Sequence, residues 1–150
     1  MPYRKVITDY ITGKGKRPRN EDFVLLESWE SGISIALIAD GMGGYEDGDI
    51  AARTVSESIR DFLTTSLNQD DSISSQVKEA INKANKEILK LRTGHEKKLG
   101  ATLAGILFVK DSAICFWLGD VKIIHFRDNH IHFQSKDHSL INELKLQNVN

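Results

Sequence analysis

Two consecutive segments in the middle of this 150-residue chain have the apolar period of a helix, and strand-like segments lie on both sides of them. Apolar residues recur every three or four positions over residues 49–68, and again over residues 73–91 until Gly94. That period is typical of amphipathic helices, and Asp70-Asp71-Ser72 offers an N-cap for the second one. Because the connection is short, we expect the two helices to pack antiparallel.

The flanking segments are rich in β-branched and aromatic residues, as strands are. Before the helices they comprise residues 3–12, 23–26 and 33–39; after the helices they comprise residues 101–109, 113–118, 121–127 and 130–134. Short turns separate the last four segments, which predicts an antiparallel meander. Strands, two helices and strands again predict an α+β fold in which a sheet carries a helical layer.

The composition narrows the classes of partner. Acidic and basic residues are interspersed and the net charge is −1, so the chain has no basic surface typical of binding to nucleic acid or an anionic membrane. No apolar run approaches the roughly 20 residues that span a bilayer. The single cysteine, Cys115, excludes an intramolecular disulfide. We therefore expect a cytoplasmic protein without a nucleic-acid or membrane partner.

A carboxylate closes the most apolar strand, since Asp40-Gly41-Met42-Gly43-Gly44 follows residues 33–39. We expect the sheet to fix Asp40 and the glycines to turn the chain sharply beside a ligand. A hairpin with residues 23–26 would bring Glu21 and Asp22 close to Asp40. Converging carboxylates need a cation such as Mg²⁺ or Mn²⁺, and the planar donors of Arg17 suit a phosphate.

Six short elements follow one another along the chain. They are Arg17-x-x-Asn20-Glu21-Asp22, Ala39-Asp40-Gly41-Met42-Gly43-Gly44, Gly48-x-x-Ala51-Ala52, Gly100-Ala101-Thr102-Leu103, Gly119-Asp120 and Asp137-His138-Ser139. In order and spacing they resemble the metal-dependent protein serine/threonine phosphatases, the PPM or type 2C family, and especially its bacterial branch. Each element alone is weak, but the combination is specific and covers most of the chain.

The resemblance implies a central antiparallel β-sandwich flanked by antiparallel helix pairs. It implies that Asp40 bridges two Mn²⁺ or Mg²⁺ ions, that Gly41 gives its carbonyl to one of them, and that Asp120 lies near an accessory third ion. Glu21 and Asp22 would act through coordinated water, and Arg17 would bind the substrate phosphate. Arg17, Asp22 and Asp40 are thus the implied catalytic residues.

The implied reaction is hydrolysis of phosphoserine or phosphothreonine by a metal-activated water, in signal transduction opposite a serine/threonine kinase. Met42 departs from the pattern, because many eukaryotic relatives have a histidine there as a proposed general acid. The chain also reaches Asn150 before two further metal-binding aspartates of the family, which predicts an incomplete catalytic domain over residues 1–150. The alternative is a non-catalytic phosphoprotein-binding or regulatory domain that uses the same cleft.

Other parts of the sequence resemble sites of different chemistry, and Cys115 is one of them. A cysteine phosphatase needs an arginine six residues after the nucleophile, where Cys115 has valine, so we expect Cys115 in the core. A transition-metal site is conceivable on the last hairpin from His125, His130 and His132. Asp137-His138-Ser139 invites a hydrolase triad, although residues adjacent in sequence rarely form one. The glycine-rich segment lacks the lysine of a nucleotide-binding loop.

Overall fold

The computed structural model of the chain describes residues 6–30, 32–42, 47–68, 71–92 and 99–138. It contains six strands and two helices within those ranges. In chain order they are β1 (Asp22–Ser28), β2 (Ser34–Met42), α1 (Gly48–Ser66), α2 (Ile73–Arg92), β3 (Gly100–Val109), β4 (Ser112–Leu118), β5 (Ile124–Arg127) and β6 (His130–Gln134). The α+β class with antiparallel sheets is confirmed.

Both predicted helices form, and they pack against each other as a hairpin. Each buries one apolar stripe, which is the stripe that the period of the sequence predicts. The buried aliphatic residues of the pair are Ala51, Ala52, Val55, Ile59, Leu63, Val77, Ala80, Ala84 and Ile88. The hydroxyl of Ser72 accepts a hydrogen bond from the Ser75 N–H at 3.4 Å, so Ser72 is the cap of α2. Asp70 and Gly94 lie outside the described residues.

The main sheet has the strand order β1-β2-β3-β4, and all three pairings are antiparallel. Successive side chains of a strand point to opposite faces. In β2, Ile35, Leu37 and Ala39 are buried in one cluster with the apolar stripes of α1 and α2. The residues between them, including the half-exposed Ile38, lie on the other face. The helix pair therefore covers one face of this sheet.

Three details of the strand prediction are wrong. First, β2 does not end at Asp40 but continues through Met42, because β3 supplies ladder partners for Gly41 and Met42 as well. Gly41 is therefore part of the strand and does not form the sharp turn that its sequence predicts. Gly43 and Gly44 lie outside the described residues.

Second, the four later strands do not form one meander, because β5 and β6 pair in a separate two-stranded sheet. Gly119 follows β4 with φ +96° and turns the chain away, and residues 121–123 precede β5 without being part of it. Third, no strand forms over residues 6–12, where Ile7 and Ile11 are 86% and 98% exposed. An extended segment needs a neighbouring backbone to complete its ladder, and within the described chain β1 pairs only with β2.

Neither helix of the described chain is long and apolar enough to cross a membrane.

Candidate functional site

Asp40 lies between two strands that both contribute to its surroundings. In the ladder it is opposite Asp22 of β1 on one side and Thr102 of β3 on the other. Residues directly opposite in an antiparallel pair share a face, with Cβ atoms roughly 4.5–5.5 Å apart. Asp22 and Asp40 are therefore side by side on the face that the helices leave uncovered, as the predicted hairpin requires.

This crowding of carboxylates changes the acidity of Asp40. Its pKa is raised above the ordinary value of 3.8, chiefly because burial disfavours the charged form and next because of the charge of Asp22. Arg17 acts in the opposite direction, whereas Asp120 and Glu21 add to the increase. The charges of all four residues predicted near Asp40 therefore change its pKa. A positive ion at this point would relieve the repulsion.

Glu21 is held by both its main chain and its side chain. Its carbonyl accepts a hydrogen bond from the Gly41 N–H at 3.0 Å. Its Oε1 atom lies so near the start of α1 that a Cβ added to Gly48 would come within 2.7 Å of it. There is therefore no room for a side chain at Gly48, the first residue of α1, because Glu21 and Gly41 of β2 pack directly against it.

The same packing explains two glycines of the sequence pattern. A Cβ on Gly41 would overlap the main-chain carbonyl of Gly48, which cannot move without shifting α1. Gly41 is therefore needed for the close approach of strand and helix rather than for a turn. The sequence showed both glycines but gave no sign that they touch each other.

Arg17 lies in the loop before β1. Its guanidinium group is 3.5 Å from the carboxylate of Glu21, and its side chain is 64% exposed. An exposed ion pair of this kind contributes little to stability, so the guanidinium can exchange Glu21 for a more highly charged anion. The structure therefore brings Arg17 to the acidic group while leaving its donors accessible.

Asp120 is exposed and follows β4 by two residues. Gly119 lies against Thr102, which is opposite Asp40 in the ladder, so the ends of β2 and β4 are neighbours. The charge of Asp120 accordingly raises the pKa of Asp40. Within the described residues, however, no three side chains of the types His, Cys, Asp and Glu are close enough to hold one ion between them. The predicted ligands therefore lie near one another, but the described residues alone do not surround one ion.

This donor set fits a hydrated hard cation. Mg²⁺ commonly takes one or two carboxylates and keeps several waters, and oxygen donors also suit Mn²⁺. The side chains of Asp40, Asp22, Glu21 and Asp120 offer only oxygen donors. Burial, and then the charges of the other three carboxylates, raise the pKa of Asp40. A softer ion would instead prefer thiolate or imidazole ligands.

Two further residues adjoin the site. Met42 ends β2 and is 56% exposed, so this position is open to solvent, but a thioether cannot transfer a proton. Thr102, opposite Asp40, is buried, and its hydroxyl has no hydrogen-bond partner in the described part of the chain. The sequence element Gly100-Ala101-Thr102-Leu103 contained this residue, but only the ladder register shows that it adjoins Asp40.

The sequence of the chain matches a known protein family. The family model for protein phosphatase 2C matches residues 15–145. A protein phosphatase 2C-type protein of Streptococcus pyogenes is 34% identical over 131 residues, which are 86% of this chain and 53% of that protein. The chain belongs to the protein phosphatase 2C family.

Solved structures of this family show the same fold. The Streptococcus agalactiae serine/threonine phosphatase is 28% identical, with a TM-score of 0.70 over 91% of this chain and 57% of that one. The catalytic domain of the serine/threonine phosphatase PstP, solved with two manganese ions, has a TM-score of 0.73 at 23% identity and covers 87% of this chain and 55% of that one. The chain thus spans about half the length of the relatives it matches.

The competing sites do not assemble. The rings of His125 and His132 are 5.6 Å apart, but the exposed His130 bonds through Nδ1 to the Asp128 carbonyl, so the three do not converge within the described residues. Cys115 is half-buried in β4, and burial raises the pKa of its thiol, which opposes a thiolate nucleophile. Ser139 lies outside the described residues.

Proposed function

We propose that this chain contributes the Asp40 site of a protein serine/threonine phosphatase that hydrolyses phosphoserine or phosphothreonine in proteins. The observation that carries the proposal is the placement of Asp40 directly opposite Asp22 on one sheet face. Burial and the charges of Asp22, Asp120 and Glu21 raise the pKa of Asp40 there. Repulsion between these carboxylates destabilises the folded chain unless a cation binds between them. Membership of the family supports the same conclusion.

Each residue has a separate role in this proposal. Asp40 and the Gly41 carbonyl would hold divalent ions of the Mn²⁺ or Mg²⁺ type, Glu21 and Asp22 would act through water, and Asp120 would serve an accessory ion. When bound, such ions lower the pKa of a water molecule and neutralise charge on the transferred phosphoryl group. The manganese in the PstP structure supports the choice of metal.

Arg17 receives the substrate in this proposal. A phosphomonoester has about two negative charges and three acceptor oxygens, so it competes well with the single carboxylate of Glu21 for the planar guanidinium. The pair at 3.5 Å then acts as a resting position that keeps the donors near the carboxylates. Positioning of the phosphoryl group by Arg17 supplies orientation, which is the main task of the protein in phosphoryl transfer.

The leaving group takes its proton from solvent. Met42 has no titratable group, and its exposure leaves that part of the site open to water. The partner is therefore a phosphorylated protein segment that can enter an open site, with a serine/threonine kinase as the opposing enzyme. A phosphoamino acid in an extended surface segment fits this access better than one in a folded core.

The test is release of inorganic phosphate from a phosphothreonine peptide in the presence of Mn²⁺. We expect Asp40→Asn to lower the rate by more than about 100-fold, because even indirect partners of a metal typically change affinity by 10–100-fold. The matched control is Asp111→Asn in the exposed turn between β3 and β4, which should keep the rate. Peptide binding without any phosphate release, or full turnover by Asp40→Asn, would overturn the proposal.

A further inference from the structure

Gly119, which follows β4, is held at both of its main-chain polar groups by one distant residue. Its N–H donates to Nδ1 of His138 at 3.2 Å, and its carbonyl accepts from the His138 N–H at 2.9 Å. The two residues are nineteen positions apart in the sequence. We call this pair of hydrogen bonds the Gly119–His138 clamp. Nδ1 is an acceptor here, so the ring carries its proton on Nε2.

The imidazole ring of His138 is itself fixed by aromatic packing. It stacks on the indole of Trp117, with centroids 6.3 Å apart and ring planes 9° apart. The indole is held in turn, since its Nε1–H donates to the Lys136 carbonyl at 2.9 Å and Phe133 packs edge-on against it at 5.7 Å. A ring restrained in this way presents Nδ1 in one direction.

The clamp closes one end of a paired segment. At the other end Ile123 and Ser135 bond reciprocally, with the Ser135 N–H donating to the Ile123 carbonyl at 2.9 Å and the Ile123 N–H donating to the Ser135 hydroxyl at 2.8 Å. Between the two ends, Lys122 forms an ion pair with Asp137 at 3.3 Å. The residues that lead out of β4 are therefore tied to those that follow β6.

The direction of Asp120 depends on this arrangement. Within the described part of the chain the Asp120 carboxylate has no hydrogen bond or ion pair, so its position follows the main chain at Gly119 and Asp120. Gly119 has φ +96°, and a Cβ there would come within 2.5 Å of Thr102 Cγ2. Thr102 thus limits Gly119 from one side, and His138 fixes its polar groups from the other.

We propose that His138 is a positioning residue that fixes Gly119 and thereby holds the Asp120 carboxylate toward Asp40 for the accessory cation. This role rests on the proposed function of the acidic site. It requires an acceptor at the Nδ1 position rather than an aromatic ring as such. Substitution can separate the effect of the Nδ1 acceptor from the effect of the aromatic ring.

Two variants divide the contributions of His138. His138→Asn keeps an acceptor oxygen close to the Nδ1 position but loses the ring, whereas His138→Phe keeps a ring on Trp117 but removes the acceptor. In metal-free protein we expect amide exchange at Gly119 to become about tenfold faster in His138→Phe and to change little in His138→Asn. The control is His132→Phe on the exposed face of β6.

The second measurement is Mn²⁺ binding. His138→Phe should weaken the binding of the ion that requires Asp120 by about 10–100-fold, as the loss of an outer-shell partner does, and His138→Asn should restore most of it. In an Asp120→Asn background the His138→Phe change should have no further effect.

The outcomes distinguish the two hypotheses. Unchanged Gly119 exchange in His138→Phe, or Mn²⁺ binding that is equally weak in the Asn and Phe variants, overturns the positioning role while the proposed function stands. If the unsubstituted chain binds no Mn²⁺ at all, the proposed function is wrong, and the role of His138 toward a cation is wrong with it.

Discussion

The ends of β2 and β4 both place an aspartate beside a glycine that has no room for a side chain, yet they are built in different ways. Asp40 is inside the ladder, flanked by Asp22 and Thr102, and burial and charge raise its pKa. Asp120 is beyond its strand, exposed, and depends on His138 through Gly119. The β2 end is therefore fixed by the sheet itself, whereas the β4 end is fixed by a contact from a distant segment.

Because of this difference, we expect the two carboxylates to respond differently to mutation. Changes at the β2 end disturb the packing of strand and helix and should affect the stability of the whole chain. Changes at the β4 end should alter a local turn. The following substitutions test that contrast.

The largest effect is expected at Gly41. An added Cβ in Gly41→Ala would overlap the main-chain carbonyl of Gly48, so α1 must shift against the sheet. We expect the free energy of unfolding to fall by about 3 kcal/mol or more, at the upper end of overpacking costs. Urea denaturation measures this change. Gly13→Ala is the control, because its Cβ would have no atom within 4 Å.

A smaller loss is expected at Gly119. Gly119→Ala combines the strained φ of +96° with a contact of 2.5 Å to Thr102 Cγ2, but this side chain can adjust more easily than a backbone. The free energy of unfolding should fall by roughly 1–3 kcal/mol. A loss equal to that of Gly41→Ala in the same urea series would contradict the contrast between the two ends.

Thr102 touches both ends and should respond in the opposite direction. Its buried hydroxyl has no hydrogen-bond partner within the described residues, and valine has nearly the same shape. Thr102→Val should therefore raise the free energy of unfolding by about 1 kcal/mol in metal-free protein. Thr102→Ser keeps the hydroxyl and serves as the comparison. Destabilisation by valine would mean that the hydroxyl has a partner at the site.

The smallest effect concerns pH. Because the pKa of Asp40 is raised in the folded chain, the folded state binds its proton more tightly than the unfolded state, and stability falls as pH rises above 3.8 through the raised value. Asp40→Asn should therefore raise Tm by a few degrees at neutral pH without metal, and the gain should vanish below pH 3.8. Asp120→Asn, at an exposed position, should change Tm less. A gain that persists at low pH would show a cause other than ionisation.

Local pattern predicted much of this molecule. The helix period gave both α1 and α2, and the apolar run that ends at Asp40 gave β2 and the acidic site at its end. The approach of Asp22 to Asp40 followed from the hairpin, because antiparallel register joins residues close in sequence. Arg17 and Glu21 were also predicted together, and they form an ion pair.

The remainder depends on contacts between distant segments. The Gly41–Gly48 approach, the hydroxyl of Thr102 beside Asp40 and the bonds from His138 to Gly119 require the register of β3 and the path of the chain after β4. The sequence predicts too early an end for β2, because glycines usually indicate a turn. In the structure β3 continues the ladder past Gly41. Residues 6–12 were expected to be a strand from composition alone, which cannot supply the neighbour that a strand needs.

Whether Asp40 is the centre of a metal site can be tested by titration with Mn²⁺, in which free Mn²⁺ is followed by electron paramagnetic resonance. The unsubstituted chain should bind Mn²⁺, Asp40→Asn should remove most of the binding, and Asp120→Asn should remove only the weaker part. Equal binding by the unsubstituted chain and Asp40→Asn would contradict the assignment of Asp40 as the centre of the site.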